Sequence, residues 1–337
     1  MTILFFDSDA RLKQHAKKYL QNESDFEFFN TSLNTISKAK LEPYADTEII
    51  SVFIHSEALS NKKLDLLPNL KLIATRSTGF NHIDLDYCKQ RGIDVVNVPR
   101  YGEVTVAEFT FGLLLDLARK IIRAESDMKH NRVDVSNYMG FDLAGKTIGV
   151  IGTGSIGQHV IKLAQGFGMH VIAYDLYPKP EYKKLYAKNL DSLFRKSDII
   201  SLHVPSTPEN IHMLDQKAFS IMKKGVIIIN TARGDLIDTQ ALYQALRVGQ
   251  VGGAGLDVLE NEDFLVHDEI MTSSRLKDNE FLLDSAMNLK LMQFDNVICT
   301  PHIAFNTKDA IDRINDTTFE NIKNFLKGKI VNSVIRK

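Results

Sequence analysis

The chain has 337 residues, 44% hydrophobic and 25% charged, and its 41 Lys plus Arg nearly balance 42 Asp plus Glu, for a net charge of −1. That length exceeds one small core and suits two domains of a water-soluble globular protein. Near-neutrality gives no general attraction to nucleic acid or anionic membranes, and no apolar run is long enough to span a bilayer.

The opening MTILFFDSD lacks a basic leader and an extended apolar stretch, so it reads as a buried strand rather than a signal peptide. Strands are expected at 3–6, 48–53, 71–75 and 94–98, after which Pro99 interrupts the pattern. One long helix is expected over 103–128, with Val106, Phe109, Leu113, Leu117 and Ile121 on a single apolar stripe. A second strand series follows at 147–152, 170–175, 198–204, 225–230, 253–258 and 296–300, and an amphipathic helix closes the chain at 307–328. The one mild basic run, 179–188, is broken by Tyr and Leu and reads as a solvated face. Strands alternating with helices throughout imply an α/β fold with parallel sheets. Cys88 and Cys299 have no CxxC spacing and no nearby ligand set, so neither a disulfide framework nor a zinc site is expected; a reducing cytoplasm is.

The segment GTGSIG, 152–157, fits GxGxxG in the right context: a buried strand ends at Gly152 and an amphipathic helix runs on through Val160, Ile161 and Leu163. Gly152 permits the tight turn, Gly154 lets backbone approach a pyrophosphate, and Gly157 lets helix and strand pack closely. The N–H groups opening the helix, from Ser155 and Ile156 onward, then face the phosphates. Asp175 ends the next strand, 18 residues after Gly157, where a carboxylate accepts from the adenosine ribose hydroxyls. That carboxylate repels a 2′-phosphate and Leu176 supplies no arginine, so NAD is favoured over NADP, with Lys179 as the one contrary sign.

Reduction of a keto acid needs a cation or N–H donors for the carboxylate, polarisation of the carbonyl, and a proton for the developing alkoxide. Three strand ends of the second series carry suitable groups. Arg233 follows the strand 225–230, Glu262 follows 253–258, and His302 follows 296–300 beside Pro301. An arginine in that place can bridge carboxylate and carbonyl in a bidentate manner, and a histidine backed by a carboxylate starts as the acid. Each alone has a plain alternative: a surface arginine, or a capping or packed histidine. The remaining histidines, His203 and His212 among them, show no comparable partner pattern.

The three together resemble the D-isomer-specific 2-hydroxyacid dehydrogenases in order and surroundings. The motifs that carry the resemblance run nearly end to end: RSTGFNHID at 76–84, VAEFTFGLLL at 106–115, GTGSIG, HVPSTPEN at 203–210, NTARGDLID at 230–238, LDVLENE at 256–262 and TPHIA at 300–304. The resemblance implies that Arg233 binds substrate, Glu262 supports the histidine and His302 is the acid/base. It implies that Asp257 faces the nicotinamide carboxamide, and that the backbone of Ser77, Thr78 and Gly79 cradles the substrate carboxylate. It places His203, Val204, Pro205, Thr231 and Ala232 along the cofactor. The implied architecture is two Rossmann-like/flavodoxin-like parallel-sheet domains with the active site in the cleft between them: a substrate-binding domain at 1–100 plus 303–337, and an NAD-binding domain at 101–302.

Within the family the chain looks most like the D-lactate dehydrogenases, which act on a small 2-keto acid with NADH. NVPRYGEVTVAEF brings Tyr101 to the substrate, and Phe53 and Phe305 join it around a small group at C3; the alternative is that these are core aromatics. Asn81 stands where the family often has Asp. The stretch 263–292 is longer than in many relatives and partly helical, suited to a lid or a dimer contact. The resemblance implies a homodimer built on the helix at 103–128. Two other readings stay open: a sibling reductase of phenylpyruvate, hydroxypyruvate or glyoxylate, and an NADH-sensing, co-repressor-like binding protein.

Overall fold

The computed structural model describes residues 2–20, 25–53, 58–262 and 279–335. The chain forms two compact units, one of Met1–Tyr101 with Thr307–Lys337 and one of Gly102–Asn306. The first begins with β1 (Thr2–Phe5), α1 (Ala10–Tyr19), β2 (Asp25–Phe28), α2 (Lys38–Leu41), β3 (Ile49–Val52), α3 (Asn61–Leu64), β4 (Leu72–Thr75), α4 (Leu85–Gln90) and β5 (Asp94–Val96). Its five strands are all parallel, in the order β2-β1-β3-β4-β5. β3 and β4 are buried along their whole length, as strands covered on both faces must be, which is why they read as unbroken apolar runs.

β2 is absent from the sequence expectation. Its DFEF alternates acids with phenylalanines at the sheet edge, too short and too charged to announce a strand, and Phe26 and Phe28 are held by ring contacts to Phe5.

The second unit contains α5 (Glu103–Arg119), α6 (Ile121–Lys129), β6 (Thr147–Ile151), α7 (Ser155–Gly166), β7 (His170–Tyr174), α8 (Leu190–Lys196), β8 (Ile199–Leu202), α9 (Gln216–Ile221), β9 (Val226–Asn230), α10 (Thr239–Arg247), β10 (Val251–Leu256), α11 (Asn279–Leu291) and β11 (Val297–Cys299). Its six parallel strands lie in the order β11-β10-β9-β8-β6-β7. Side chains from α5 and α7 cover one face of this sheet, with Phe111, Leu114, Val160 and Ile161 packed against Ile148, Val150 and Ile229. Leu193, Phe219, Leu242 and Leu246 cover the other. The last helix, α12 (Lys308–Leu326), capped by Thr307 on Ala310 N, belongs to the first unit, where Phe319 and Ile322 pack beneath Phe5, Leu72 and Ala74.

The single helix expected over 103–128 is instead two. Lys120 adopts a left-handed φ of 55° between them. The Ala118 carbonyl, which a continuing helix would offer to Ile122, accepts from Phe141 N at 3.0 Å, and Ile122 N turns to Asp116 Oδ1 at 2.7 Å. The apolar stripe therefore ends early, and Ile121 is 58% exposed.

In each sheet the order of connection reverses once, between β1 and β3 and between β6 and β8, and ligands of open α/β sheets bind outside the strand C-termini at such points.

Candidate active site

At the β6–β8 reversal the turn after β6 is built for close approach. Gly152 has φ +95°, and a Cβ there would lie 2.4 Å from the His203 carbonyl oxygen. A Cβ on Gly157 would lie 2.0 Å from the Gly152 carbonyl, whereas one on Gly154 would meet open space. Gly154 caps α7 without a side-chain hydrogen bond, so the first N–H groups of the helix, at exposed Ser155 and half-buried Ile156, are left to a ligand. His203 Nε2 meets Ser201 Oγ at 2.8 Å while its buried Nδ1 has no protein partner, and burial pushes the imidazole down to about 3. Val204, half-buried, leans over Gly152, and Pro205 beyond it is exposed. An uncapped helix, a glycine cradle and an orphaned nitrogen together fit a dinucleotide.

Asp175 is more occupied than its sequence position suggests. One oxygen accepts from Thr153 N at 2.6 Å and Thr153 Oγ1 at 2.9 Å, the other from Tyr177 N at 2.8 Å. Tyr186 OH adds a bond to Thr153 Oγ1 at 2.8 Å. The carboxylate thus locks the glycine turn, and its remaining acceptor sites are what a ribose could use.

Across the sheet the ends of β9, β10 and β11 bring the three expected groups onto one edge. His302 Nδ1 lies 2.7 Å from Glu262 Oε1, and Glu262 Oε2 accepts from Leu259 N at 3.0 Å. His302 holds a left-handed φ of 52°, a strained state for a histidine. Asp257 over-determines it. This 1% exposed carboxylate accepts from Thr300 Oγ1 at 2.6 Å, Ile303 N at 2.9 Å and Ala304 N at 2.8 Å, and its backbone carbonyl accepts from His302 N at 2.9 Å. Burial outweighs these bonds and the nearby imidazole, leaving the Asp257 carboxyl raised above its usual value. Three of about four acceptor sites are spent on the loop, so Asp257 has one left for a nicotinamide amide. The structure shows it first as the clamp of the histidine loop.

Arg233 is half-buried, and among the described residues its guanidinium makes one hydrogen bond, Nη1 to the Ala232 carbonyl at 2.6 Å. No carboxylate among the described residues pairs with it, which leaves its fork for an anion. Asn230 shapes the turn, accepting from Ala232 N at 3.0 Å and donating to the Arg233 carbonyl at 2.7 Å. Thr231 Oγ1 is tied to Thr110 of α5 at 3.0 Å. A Cβ on Gly234 would come within 2.4 Å of the Leu259 and Glu260 backbone, so only glycine lets the Arg233 turn and the Glu262 segment lie this close. Phe305 sits edge-on to His302, ring centroids 6.5 Å apart.

In the first unit the 77–79 turn is fixed by its own side chains. Ser77 Oγ donates to Gly79 O at 2.6 Å, Thr78 Oγ1 to Val98 O at 2.7 Å, and Asn97 Nδ2 to Thr78 O at 2.7 Å. Among the described residues, Thr78 N and Gly79 N donate to no protein acceptor. Tyr101 is held through its carbonyl by Arg313 Nε at 2.7 Å. The Phe53 ring stacks on the guanidinium of Arg76 at 5.6 Å.

One expectation is corrected. His212 has a partner after all: its Nε2 lies 2.6 Å from Glu260 Oε1. The two residues are 48 positions apart in the chain, so no local spacing announces the pair. Thr153, Tyr186, Asn230, Gly234 and Arg76 were also passed over. Of these, Thr153, Asn230, Gly234 and Arg76 stand within the motifs GTGSIG, NTARG and RSTG, and Tyr186 stands in none. The expected lid or dimer contact at 263–292 lies outside the described residues up to 278 and is α11 from Asn279 to Leu291.

Residues 111–304 match the family model described as D-isomer specific 2-hydroxyacid dehydrogenase, NAD binding domain. The chain belongs to the D-isomer-specific 2-hydroxyacid dehydrogenases. It is 40% identical over 326 residues to D-lactate dehydrogenase of Escherichia coli, covering 94% of this chain and 95% of that one. It is 41% identical over 271 residues to an aromatic 2-oxoacid reductase of Clostridium sporogenes, 80% of each. Its fold matches the crystal structure of D-lactate dehydrogenase from Aquifex aeolicus complexed with NAD and lactic acid at a TM-score of 0.85 and 37% identity, over 99% of both chains. The family membership makes the protein an NAD-dependent oxidoreductase acting on the CH–OH group of a D-2-hydroxy acid.

Proposed function

We propose that this dehydrogenase reduces pyruvate to D-lactate, with His302 as the acid. The observation that carries the reading is the His302–Glu262 contact of 2.7 Å, which leaves Nε2 without a protein partner among the described residues. Glu262 accepts a hydrogen bond from Nδ1–H and so fixes the tautomer: the second proton of the imidazolium sits on Nε2, aimed away from the carboxylate. NADH, when bound, supplies the hydride to C2. His302 gives the Nε2 proton to the carbonyl oxygen. Arg233 binds the substrate carboxylate and polarises the carbonyl. The glycine turn after β6 with α7 holds the pyrophosphate, and Asp175 the ribose.

Phe305, edge-on to His302, supports a small group at C3, as does the similarity to D-lactate dehydrogenases along the whole chain. The similar identity to an aromatic 2-oxoacid reductase makes phenylpyruvate the rival substrate. The test is NADH consumption on a panel of keto acids, with the product resolved by chiral chromatography. D-lactate from pyruvate is expected; turnover of larger keto acids alone contradicts the reading.

We infer in addition a homodimer through the outer face of α5 and α7. Exposed Val104 and Phe167 there line a groove of about 420 Å³ with Ala107 and Leu163, an apolar face that a second copy would cover. Sedimentation velocity is expected to give twice the 38.0 kDa chain mass, and a monomer contradicts it.

A further inference from the structure

The segment after β10 carries two glutamates, and each meets a histidine from another strand end. Glu262 meets His302. Glu260, two residues earlier, accepts from His212 Nε2 at 2.6 Å through Oε1 and from Thr239 Oγ1 at 3.0 Å through Oε2. The Glu260 side chain is 15% exposed and that of His212 39%, so the acid is the more deeply placed partner. The Glu260 carbonyl accepts from Asn288 Nδ2 of α11 at 2.7 Å, and Gly234 presses against the Leu259–Glu260 peptide. One residue is thereby tied to the segment after β8, to the start of α10 and to α11.

His212 is itself held in place. Its N–H donates to the Asp235 carbonyl at 2.8 Å, and its φ of 54° is left-handed, as at His302. The charged groups facing it are Glu260 from the segment after β10, Asp238 from the cap of α10 and Asp284 from α11. Partial burial alone lowers its pKa, but the Glu260 hydrogen bond and the three carboxylates outweigh that and leave it raised.

We propose that His212 and Glu260 are a positioning pair that holds the backbone carrying Glu262, and through it the His302–Glu262 contact. Without His212 the half-buried Glu260 carboxylate keeps, among the described residues, only the neutral Thr239 hydroxyl as a side-chain donor, and its desolvation is less well offset. It is drawn toward water and takes Leu259 with it. Leu259 N is the donor that fixes Glu262 Oε2, so the disturbance reaches the carboxylate behind His302 directly.

The inference rests on His302 being the acid, so His302→Gln is measured beside the pair variants, using the keto acid that the wild type reduces fastest. His212→Leu is expected to lower kcat about tenfold with NADH affinity within about twofold. KM for the keto acid is expected to stay within about twofold, because the pair acts on the carboxylate behind the proton donor and not on Arg233. His212→Gln, which keeps a donor to Glu260, is expected to restore kcat to within about threefold. Glu260→Leu, which removes the acceptor of His212, tests the same link should His212→Leu not fold, and is expected to lower kcat with KM likewise retained. Pair variants whose kcat superimposes on the wild type overturn the proposal. So does equal loss of kcat in His212→Leu and His212→Gln with a raised KM and a lowered Tm, which is the signature of a purely structural contact. Retained turnover in His302→Gln overturns it by a different route, since no acid is then left to position.

Discussion

His302 and Glu262 meet at 2.7 Å although 40 residues separate them in the chain, and the second oxygen of the glutamate is pinned by Leu259 N. A carboxylate held at both oxygens cannot rotate away as the imidazole gains or loses charge. For that reason His302→Gln is expected to lose kcat by a factor of about 10³ while NADH binding stays within about threefold. Initial rates and NADH fluorescence titration check this. Near-wild-type turnover removes His302 from the chemistry.

Gly234→Ala tests how the Glu262 segment is placed. The new Cβ would sit 2.1 Å from the Leu259 carbonyl carbon, and backbone must move to admit it. A displacement of about 1 Å at reacting groups costs about a hundredfold in rate, so kcat is expected to fall by that order with NADH affinity retained. An unchanged kcat shows that the segment tolerates the shift.

Arg76 is expected to matter for stability. It is 2% exposed, donating through Nη2 to the carbonyls of Phe6 at 2.6 Å and Asp7 at 3.1 Å and through Nη1 to Ser51 Oγ at 2.9 Å. It thereby fills the β1–β3 reversal of the first sheet, and burial pushes its pKa down to about 10, leaving it charged at neutral pH. Arg76→Met leaves those acceptors without their donor and is expected to destabilise the protein by about 3 kcal/mol in urea unfolding. An unmoved midpoint contradicts the role.

His203 predicts a pH dependence of stability. Its folded value of about 3 lies below the ordinary 6.5, so the unfolded chain takes up a proton that the native one refuses. The stabilisation is complete above about pH 6.5 and is lost as pH falls toward 3, amounting to about 2 kcal/mol by pH 5. His203→Gln, which cannot titrate, is expected to lose less stability between pH 7 and pH 5 than the wild type. Parallel losses in the two proteins show that the ring is protonated in the native state.

Much of this was legible in the chain. The strands at 225–230 and 253–258 announced themselves because burial on both faces favours runs of apolar and small residues, and Arg233, Glu262 and His302 stand just beyond strand ends. Position alone left each with a plain alternative, and the resemblance of their surroundings to the family singled them out as candidates. What escaped depends on tertiary approach. Lys120 breaks a helix because Phe141 captures the Ala118 carbonyl, a competition invisible to a local apolar period. The two phenylalanines of β2 are too few to signal an edge strand. His212 carries no neighbouring motif, and its acid arrives from a different strand end.

The account stands most directly on the ratio of kcat/KM for pyruvate to that for phenylpyruvate at saturating NADH. A small group at C3 beside Phe305 predicts a ratio of about ten or more in favour of pyruvate, with D-lactate as the product. A ratio below one, or no reduction of pyruvate, contradicts it.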